Sequence, residues 1–463
     1  MTELTLAISS VHHQMLESHL FPGDGLEAAA ILICGRAGRT FNRLSVSSAL
    51  LVPYADCTLR TPVRLTWPGN YLDMAIDAAD EISGSILLVH SHPGGMFAFS
   101  NLDDTSDHDT MPCLIYGCED ETIPHGSAIM VPGGAIKARL YDQNMSITPI
   151  TGVQCIGPDI RDLSKPQISP ILAFSSQMTD SLARKSACIV GISGTGSPTA
   201  EMLARMGIGK IVLIDFDIIE KRNLNRILNS TIHDANAARL KTTMMNSAIK
   251  RYNPHIEVIE VATPISESEA IIAASGCDII FSCVDTMEGR LYCDLIAEAC
   301  VIPLIDMGVM IPTRNIDNAI EIADVCARID YVWPGGPSLR DRGQITGEGL
   351  AAEDLRRTDP ESYARQLAEG YIKGVVEEAP SVITLNMQAA SAAVNEWIAR
   401  LYAYRHQPNS KYDRFFISLA GCEYEFEKSE PADTINPRNI IGHGLRKPLL
   451  GMVPRPQHRK DAA

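Results

Sequence analysis

The sequence holds no Cys-x-x-Cys pair, no internal repeat, and no apolar run of the roughly 18 residues that a membrane span requires. Its twelve cysteines, at positions 34, 57, 113, 118, 155, 188, 277, 283, 293, 300, 326 and 422, are too sparse for a disulfide framework. Without paired spacing they give no support to a cysteine-rich structural zinc site and read as small core residues. The N-terminus, MTELTLAISSVHHQ, lacks the basic start and long apolar core of a secretory leader, so a cytoplasmic protein is expected. Positive charge is also short: 40 Lys and Arg stand against 56 Asp and Glu, a formal charge of −16. Such a surface repels phosphate backbones and anionic lipids, which excludes general nucleic-acid or membrane-surface binding. A local basic pocket for one nucleotide is still compatible with it. With 45% hydrophobic and 21% charged residues the chain is an ordinary globular one, and 463 residues suggest two or three domains.

The texture changes along the chain. Residues 1–145 mix short apolar runs (Ala28–Cys34, Ile86–Val89, Ala128–Val131) with Gly/Pro turns, the pattern of an α+β domain. Residues 146–168 carry several prolines and little periodicity and read as a linker. From residue 169 to 425 apolar strands alternate with helical patterns, the mark of a Rossmann-like, doubly wound parallel sheet, so the chain is α/β overall. The expected strands are Ala187–Val190, Ile211–Asp215, Ile256–Val261, Ile279–Val284 and Ile302–Met307. Residues 426–463 are Pro-rich and polar and read as an extended C-terminal arm.

Two constellations carry chemistry. In the first, an apolar strand ends in His90-Ser91-His92-Pro93, and Ser100-Asn101-Leu102-Asp103 follows. Residues two apart on a strand project from one face, so both imidazoles can hold one metal ion. Asp103 can add an oxygen ligand. Three protein ligands leave a fourth tetrahedral position for water, whose pKa zinc lowers to about 7. The full spacing, H-x-H-x7-S-x-x-D, resembles the motif of the JAMM (JAB/MPN) metallo-isopeptidases. That family cleaves isopeptide or peptide bonds after the C-terminus of ubiquitin or a ubiquitin-like protein. The resemblance implies His90, His92 and Asp103 as Zn²⁺ ligands and Ser100 as hydrogen-bond partner of the tetrahedral intermediate. It also implies a glutamate ahead of an early apolar strand as general base. Glu27, before Ala28–Cys34, fits that place, and Glu17 is its rival.

In the second constellation, a strand runs into Gly191-Ile192-Ser193-Gly194-Thr195-Gly196-Ser197-Pro198, with Ser197 and Pro198 suited to starting a helix. Bare glycines let backbone N–H groups approach a phosphate there. Asp215, 19 residues beyond Gly196, suits a ribose hydroxyl. A nicotinamide enzyme would show as much. It would have no use for the following Asn223, Arg226 and Lys241, whereas adenylation needs cations, because a carboxylate must attack the α-phosphate of ATP. The set resembles the ThiF/MoeB/HesA superfamily, the adenylating core of ubiquitin-activating enzymes. The resemblance implies Gly191, Gly194 and Gly196 near the phosphates, and Asp215 on the ribose. It further implies Asn223, Arg226 and Lys241 around the triphosphate and Asp285 holding Mg²⁺. The segment Ala379–Asn386 looks like the family's last core strand and helix.

The sequence also departs from that family. Ser193 stands where a glycine is common. The Trp333–Arg340 segment has serine where many relatives carry the cysteine of a structural zinc site. Cys326 is the nearest candidate for a thioester nucleophile. Arg161 and Arg184 are both open as the N-terminal arginine that relatives extend to ATP across a homodimer. Together the resemblances imply a bifunctional enzyme of a bacterial ubiquitin-like system, with Zn²⁺, ATP and Mg²⁺ as cofactors. Its partner would be a ubiquitin-like protein ending in glycine, with a conjugating enzyme as a further partner. A sulfur-carrier protein bound for thiocarboxylate formation is the alternative partner. A non-catalytic nucleotide- and zinc-binding scaffold is the alternative of a different class.

Overall fold

The computed structural model describes residues 4–166, 170–316, 319–368, 382–429 and 440–452. In the N-terminal part the strands are β1 (Thr5–Ser9), β2 (Ala29–Ala37), β3 (Arg43–Leu51), β4 (Leu59–Arg60), β5 (Leu65–Thr66), β6 (Ser85–Ser91), β7 (His125–Met130), β8 (Ile136–Tyr141), β9 (Ile147–Ile150), β10 (Gly152–Ile156) and β11 (Ile160–Asp162). Nine of them form one sheet in the order β11-β10-β1-β3-β2-β6-β7-β8-β9, and β4 with β5 forms a separate hairpin. Helix α1 (Ser10–Leu20) covers one face, and α2 (Asn70–Asp80) and α3 (Asn101–Gly117) cover the other. Strand β2 is apolar almost throughout because both of its faces are covered. Ala30, Leu32 and Cys34 join the α1 side, while Ile31 and Ile33 join the α2–α3 side.

Residues 146–168 do not behave as the linker their prolines suggested. They supply β9, β10 and β11, and β10 pairs in parallel with β1 from Thr5↔Gly152 to Ser9↔Ile156. Pro149 is tolerated because β9 is an edge strand, where a missing N–H costs no ladder bond.

The C-terminal part begins with α4 (Ser176–Leu182), followed by β12 (Ser186–Val190), α5 (Gly196–Arg205), β13 (Lys210–Ile214), α6 (Ile232–Asn236), α7 (Lys241–Tyr252), β14 (Glu257–Val261), α8 (Ser268–Ala274), β15 (Ile279–Ser282), α9 (Met287–Ala299) and β16 (Leu304–Met310). These five strands lie parallel in the order β14-β13-β12-β15-β16, so the order reverses on either side of β12. Each expected strand is present within a few residues of its expected bounds. The hairpin β17 (Thr313–Ile316) and β18 (Ala319–Ile322) stands apart. Strands β19 (Cys326–Val332), β20 (Arg414–Ser418) and β21 (Glu423–Glu427) then extend the sheet in antiparallel fashion. Helices α10 (Gly347–Thr358), α11 (Pro360–Ala368) and α12 (Ile383–Leu401) complete the unit. Among the described residues no helix is long and apolar enough to cross a membrane.

The two parts share buried contacts. Ala7, Ile156 and Ile160 of the first sheet join the core formed by Leu182, Ala187, Ile305 and Trp397 of the second. The C-terminal arm, read from its sequence as extended, is docked over the residues described. Gly442 N donates to Glu298 O, and its own carbonyl accepts from Gly35 N at 2.9 Å. Leu445 N donates to Arg36 O at 2.8 Å, and Leu450 is buried. A Cβ on Gly442 would lie 2.2 Å from Val46 O, which is why the passage requires glycine.

The end of α9 is satisfied from the other part of the chain. Buried Arg43 donates from Nε to Cys300 O (2.9 Å) and from Nη2 to Val301 O (2.6 Å), and Ser45 Oγ donates to Cys300 O (2.7 Å). The last carbonyls of a helix lack intrahelical partners and carry partial negative charge, so a cation there is doubly favourable. Arg43→Ala leaves these buried acceptors short of donors and should cost about 2–4 kcal/mol. Thermal unfolding monitored by calorimetry should show the loss, and an unchanged midpoint would mean that the two parts do not rely on this contact.

Candidate functional site

The first constellation assembles where β6 ends beneath α3. His90 and His92 project from the face that α3 covers. Asp103 sits in the first turn of α3, with His90 Nε2 at 3.1 Å from its Oδ1 and His92 Nε2 at 3.5 Å from its Oδ2. One donor atom from each of the three lies within 4.8 Å of the others, and among the described residues no other such group of three occurs. His92 Nδ1 faces the Met96 carbonyl at 2.8 Å. A carbonyl only accepts, so Nδ1 donates to it, and Nε2 is the nitrogen turned toward His90 and Asp103, where a metal ligand atom is needed. Burial works to raise the Asp103 carboxyl, but hydrogen bonds from His90, His92 and Ser100 N hold it well below the usual range. Burial works to lower His92, yet its bond to Asp103 leaves it raised.

Ser100 takes a part the sequence did not suggest. Its Oγ accepts from Asp103 N (3.2 Å) and Asp103 Oδ2 accepts from Ser100 N (2.6 Å), a capping box at the start of α3. The serine therefore orients the aspartate, and its O–H proton stays available to a substrate. Deeper in α3, buried Asp107 accepts from Ser127 Oγ, from Tyr141 OH (2.9 Å), and from Arg139 Nη2 (2.6 Å). Arg139 also pairs with Asp104 and stacks over Phe99 at 3.8 Å. This network pins the helix that presents Asp103 to β7 and β8.

Glu27 is brought to the site and Glu17 is not. The pairing Ala29↔His90 continues to set Glu27 level with His92, on the same sheet face. Ser91 fixes that register: its Oγ accepts from Ala28 N (2.9 Å), and its N donates to Ala28 O (3.0 Å). Burial pushes the Glu27 carboxyl up, while His90 and His92 pull it down and Asp103 adds to the rise. Glu17 instead lies in α1, 3.9 Å from His13, and lines a neighbouring cavity of about 350 Å³ with Leu26, Pro93 and Pro132.

The second constellation gathers at the carboxyl ends of β12, β13 and β15, where the strand order reverses. Gly191 has φ of +90°, and a Cβ on it would lie 2.8 Å from Cys283 O; one on Gly196 would lie 1.8 Å from Gly191 O. The turn is thus a bare-backbone cradle at the start of α5. Buried Asp215 supports it, accepting from Ile192 N (2.7 Å) and Asp217 N (2.8 Å), and burial pushes its carboxyl up against the pull of Lys241. Lys241, at the start of α7 and itself buried, reaches Asp217 at 2.7 Å and Asp215 at 3.6 Å. Asn223 is buried, its Oδ1 accepting from Glu220 N. Arg226 is half-buried, and its Nη1 folds back on Arg222 O (3.1 Å) and Asn225 Oδ1 (3.3 Å). Asp285 is exposed between β15 and α9. Asn386, named from sequence only as the end of the Ala379–Asn386 segment, is buried in the first turn of α12 against the glycine turn: a Cβ on Gly194 would lie 2.3 Å from its Nδ2.

Cys326 is not where a nucleophile belongs. It is buried in β19, its Sγ rests 3.5 Å from Met310 O, and burial pushes the thiol up. An enclosed thiol with a raised pKa is a poor nucleophile. Ser338 donates to Asp341 Oδ2 and accepts from Asp341 N, closing a polar turn. Arg161 contacts His13 and Cys155, whereas Arg184 bonds Asp180 O of α4. Of the Ala379–Asn386 segment, residues 379–381 lie outside the described residues, and α12 starts at Ile383.

A family model described as the ThiF family matches residues 165–434, and one described as prokaryotic homologs of the JAB domain matches residues 9–139. Among curated proteins, ubiquitin-like modifier-activating enzyme 5 of Bombyx mori is 33% identical over 120 residues, 24% of this chain and 30% of the relative. Adenylyltransferase and sulfurtransferase MOCS3 of Bos taurus is 29% identical over 186 residues, 39% of this chain and 36% of the relative. The chain thus spans about a third of the length of these relatives. Among solved structures, E. coli MccB with ATP aligns over 56% of this chain and 68% of that one, at 18% identity and a TM-score of 0.43.

Asp107→Asn should weaken zinc binding by about 10- to 100-fold through the loosened α3, with the helix still formed. Chelator competition on the purified protein measures this, and unchanged affinity would mean that the capping box alone holds Asp103.

Proposed function

The chain belongs to the ThiF family, with a JAB-type unit ahead of the ThiF unit, and from that membership we propose a bifunctional enzyme acting on one kind of polypeptide end. The N-terminal site hydrolyses the amide bond that follows the C-terminal glycine of a ubiquitin-like protein. The C-terminal site adenylates the carboxylate so released. The observation that carries this reading is the pair of complete donor sets in one chain. One is His90, His92 and Asp103 with Glu27 level beside them; the other is the glycine turn with Asp215 and Lys241 at its base.

In the first site His90, His92 and Asp103 are the residues that would hold zinc. The ion, when bound, lowers the pKa of water to about 7. Glu27 serves as general base. It accepts the proton of the attacking water and returns it to the leaving amine, a task suited to a carboxyl raised by burial. Ser100, anchored by the capping box, donates its hydroxyl proton to the oxygen that gains charge.

In the second site ATP is a substrate. The glycine turn offers backbone N–H groups to its phosphates, and Asp215 accepts from the ribose. Lys241, now paired with Asp217, exchanges that partner for the triphosphate. Arg226 turns outward from its own loop to add a second cation, and Asp285 would hold magnesium, which offsets phosphate charge. The carboxylate of the terminal glycine displaces pyrophosphate and becomes an acyl-adenylate. The buried Cys326 thiol supports a reaction that ends there, with sulfur or a thiol supplied by another protein. That endpoint suits a sulfur-carrier substrate as well as a conjugated modifier.

The test is ATP–pyrophosphate exchange together with cleavage of an extended precursor, using small glycine-terminated proteins of the ubiquitin fold. Glu27→Gln should lower cleavage by about 10²- to 10⁴-fold and leave exchange intact. Lys241→Ala should lower exchange by about 10²- to 10³-fold and leave cleavage intact. Absence of both wild-type activities with every such protein tried would overturn the reading.

A further inference from the structure

We infer that Arg60, in the β4–β5 hairpin, is a positioning residue for Glu27; the inference rests on the hydrolase reading above. Glu27 lies before the first residue of β2 and so lacks the ladder of a sheet on that side. Its main chain is held by the hairpin instead. Glu27 N donates to Thr61 O at 2.9 Å, and Arg60 Nε donates to Glu27 O at 2.9 Å. Both peptide groups of the base are therefore tied to adjacent hairpin residues.

The guanidinium is itself fixed on three sides. Nη1 pairs with Asp24 at 3.1 Å, so the same side chain holds the loop leading into Glu27. Its flat face lies 4.3 Å over the Tyr54 ring, which stacks on His19 at 4.9 Å. His19 Nε2 contacts the carbonyl of Ala29, the first residue of β2, at 3.0 Å. The chain Arg60–Tyr54–His19 thus brackets Glu27 between a bond to its own carbonyl and a bond two residues later.

The contacts converge on one residue: Arg60 and its neighbour Thr61 hold both peptide groups of Glu27, and Asp24 and Tyr54 hold Arg60. A general base must stand within hydrogen-bond reach of the water it deprotonates, and a displacement near 1 Å is enough to lose much of the rate. Lysine cannot reproduce the set, since one ammonium cannot serve Glu27 O and Asp24 and also stack on a ring.

The experiment compares Arg60→Ala and Arg60→Lys with the full-length zinc-loaded wild type. The probe is a short peptide ending in Gly-Gly amide-linked to aminomethylcoumarin. In Arg60→Ala, kcat should fall about 10- to 100-fold, with KM and zinc content within about twofold of wild type. Arg60→Lys should recover only part of that loss, and ATP–pyrophosphate exchange by the other half should stay unchanged as a check on folding. A kcat unaltered in Arg60→Ala, or a rise in KM alone, overturns the inference. Hydrogen exchange provides a readout independent of turnover: the Glu27 amide should lose protection in Arg60→Ala while Ile31–Ile33 keep theirs. If the wild type cuts neither this probe nor any extended glycine-terminated protein of the ubiquitin fold, the hydrolase reading fails. Protection at Glu27 then decides whether Arg60 holds that residue, and unaltered protection overturns the hold.

Discussion

The antiparallel pairing of β2 with β6 is the constraint on which the N-terminal site depends. Because Ala29 faces His90, Glu27 comes level with His92, and period-two alternation turns all three polar side chains to the face beneath α3. A slip of one residue would turn the histidines toward α1 and bury Ile31 and Ile33 on the wrong side. Ser91 guards against the slip: it binds both backbone groups of Ala28 from the position between the two histidines. The residue that the motif writes as "x" is the one that sets Glu27 against His90 and His92.

The ThiF half reaches its geometry by a different route. Its polar groups come from loops after parallel strands, at the place where the sheet order reverses. No cross-strand ladder can align them, so charge does. Asp215 gathers the amides of Ile192 and Asp217, and Lys241 answers both acids from the start of α7. Glycines then let backbone approach backbone where a side chain would collide. The first half thus rests on a backbone ladder and the second on ion pairs.

The two halves are not beads on a string. Three strands that looked like linker complete the first sheet, and Ile156 and Ile160 pack into the core of the second unit. Arg43 and Ser45 finish helix α9 across the boundary, and the segment around Gly442 touches both parts. Proline content misled the reading of residues 146–168, because Pro149 sits on a sheet edge where it does no harm. The arm read as extended because its few apolar residues are scattered among Pro, Gly and charged ones; its docking joins burial of Ile440 and Leu450 to glycine backbone contacts.

The sequence by itself determined the five parallel strands of the second sheet within a few residues, three apolar runs of the first, the histidine pair with Asp103, and the glycine turn with its acid. Such features are local: they follow from side-chain alternation, from caps, and from residues a few positions apart. Tertiary structure alone decided between Glu27 and Glu17 and enclosed Cys326 in a strand. It also introduced Ser91, Asp107 with Arg139, and Asn386, none of which carries a spacing signal of its own. Their parts depend on which strand lies beside which. That is set by burial over the whole chain, and no short window of sequence contains it.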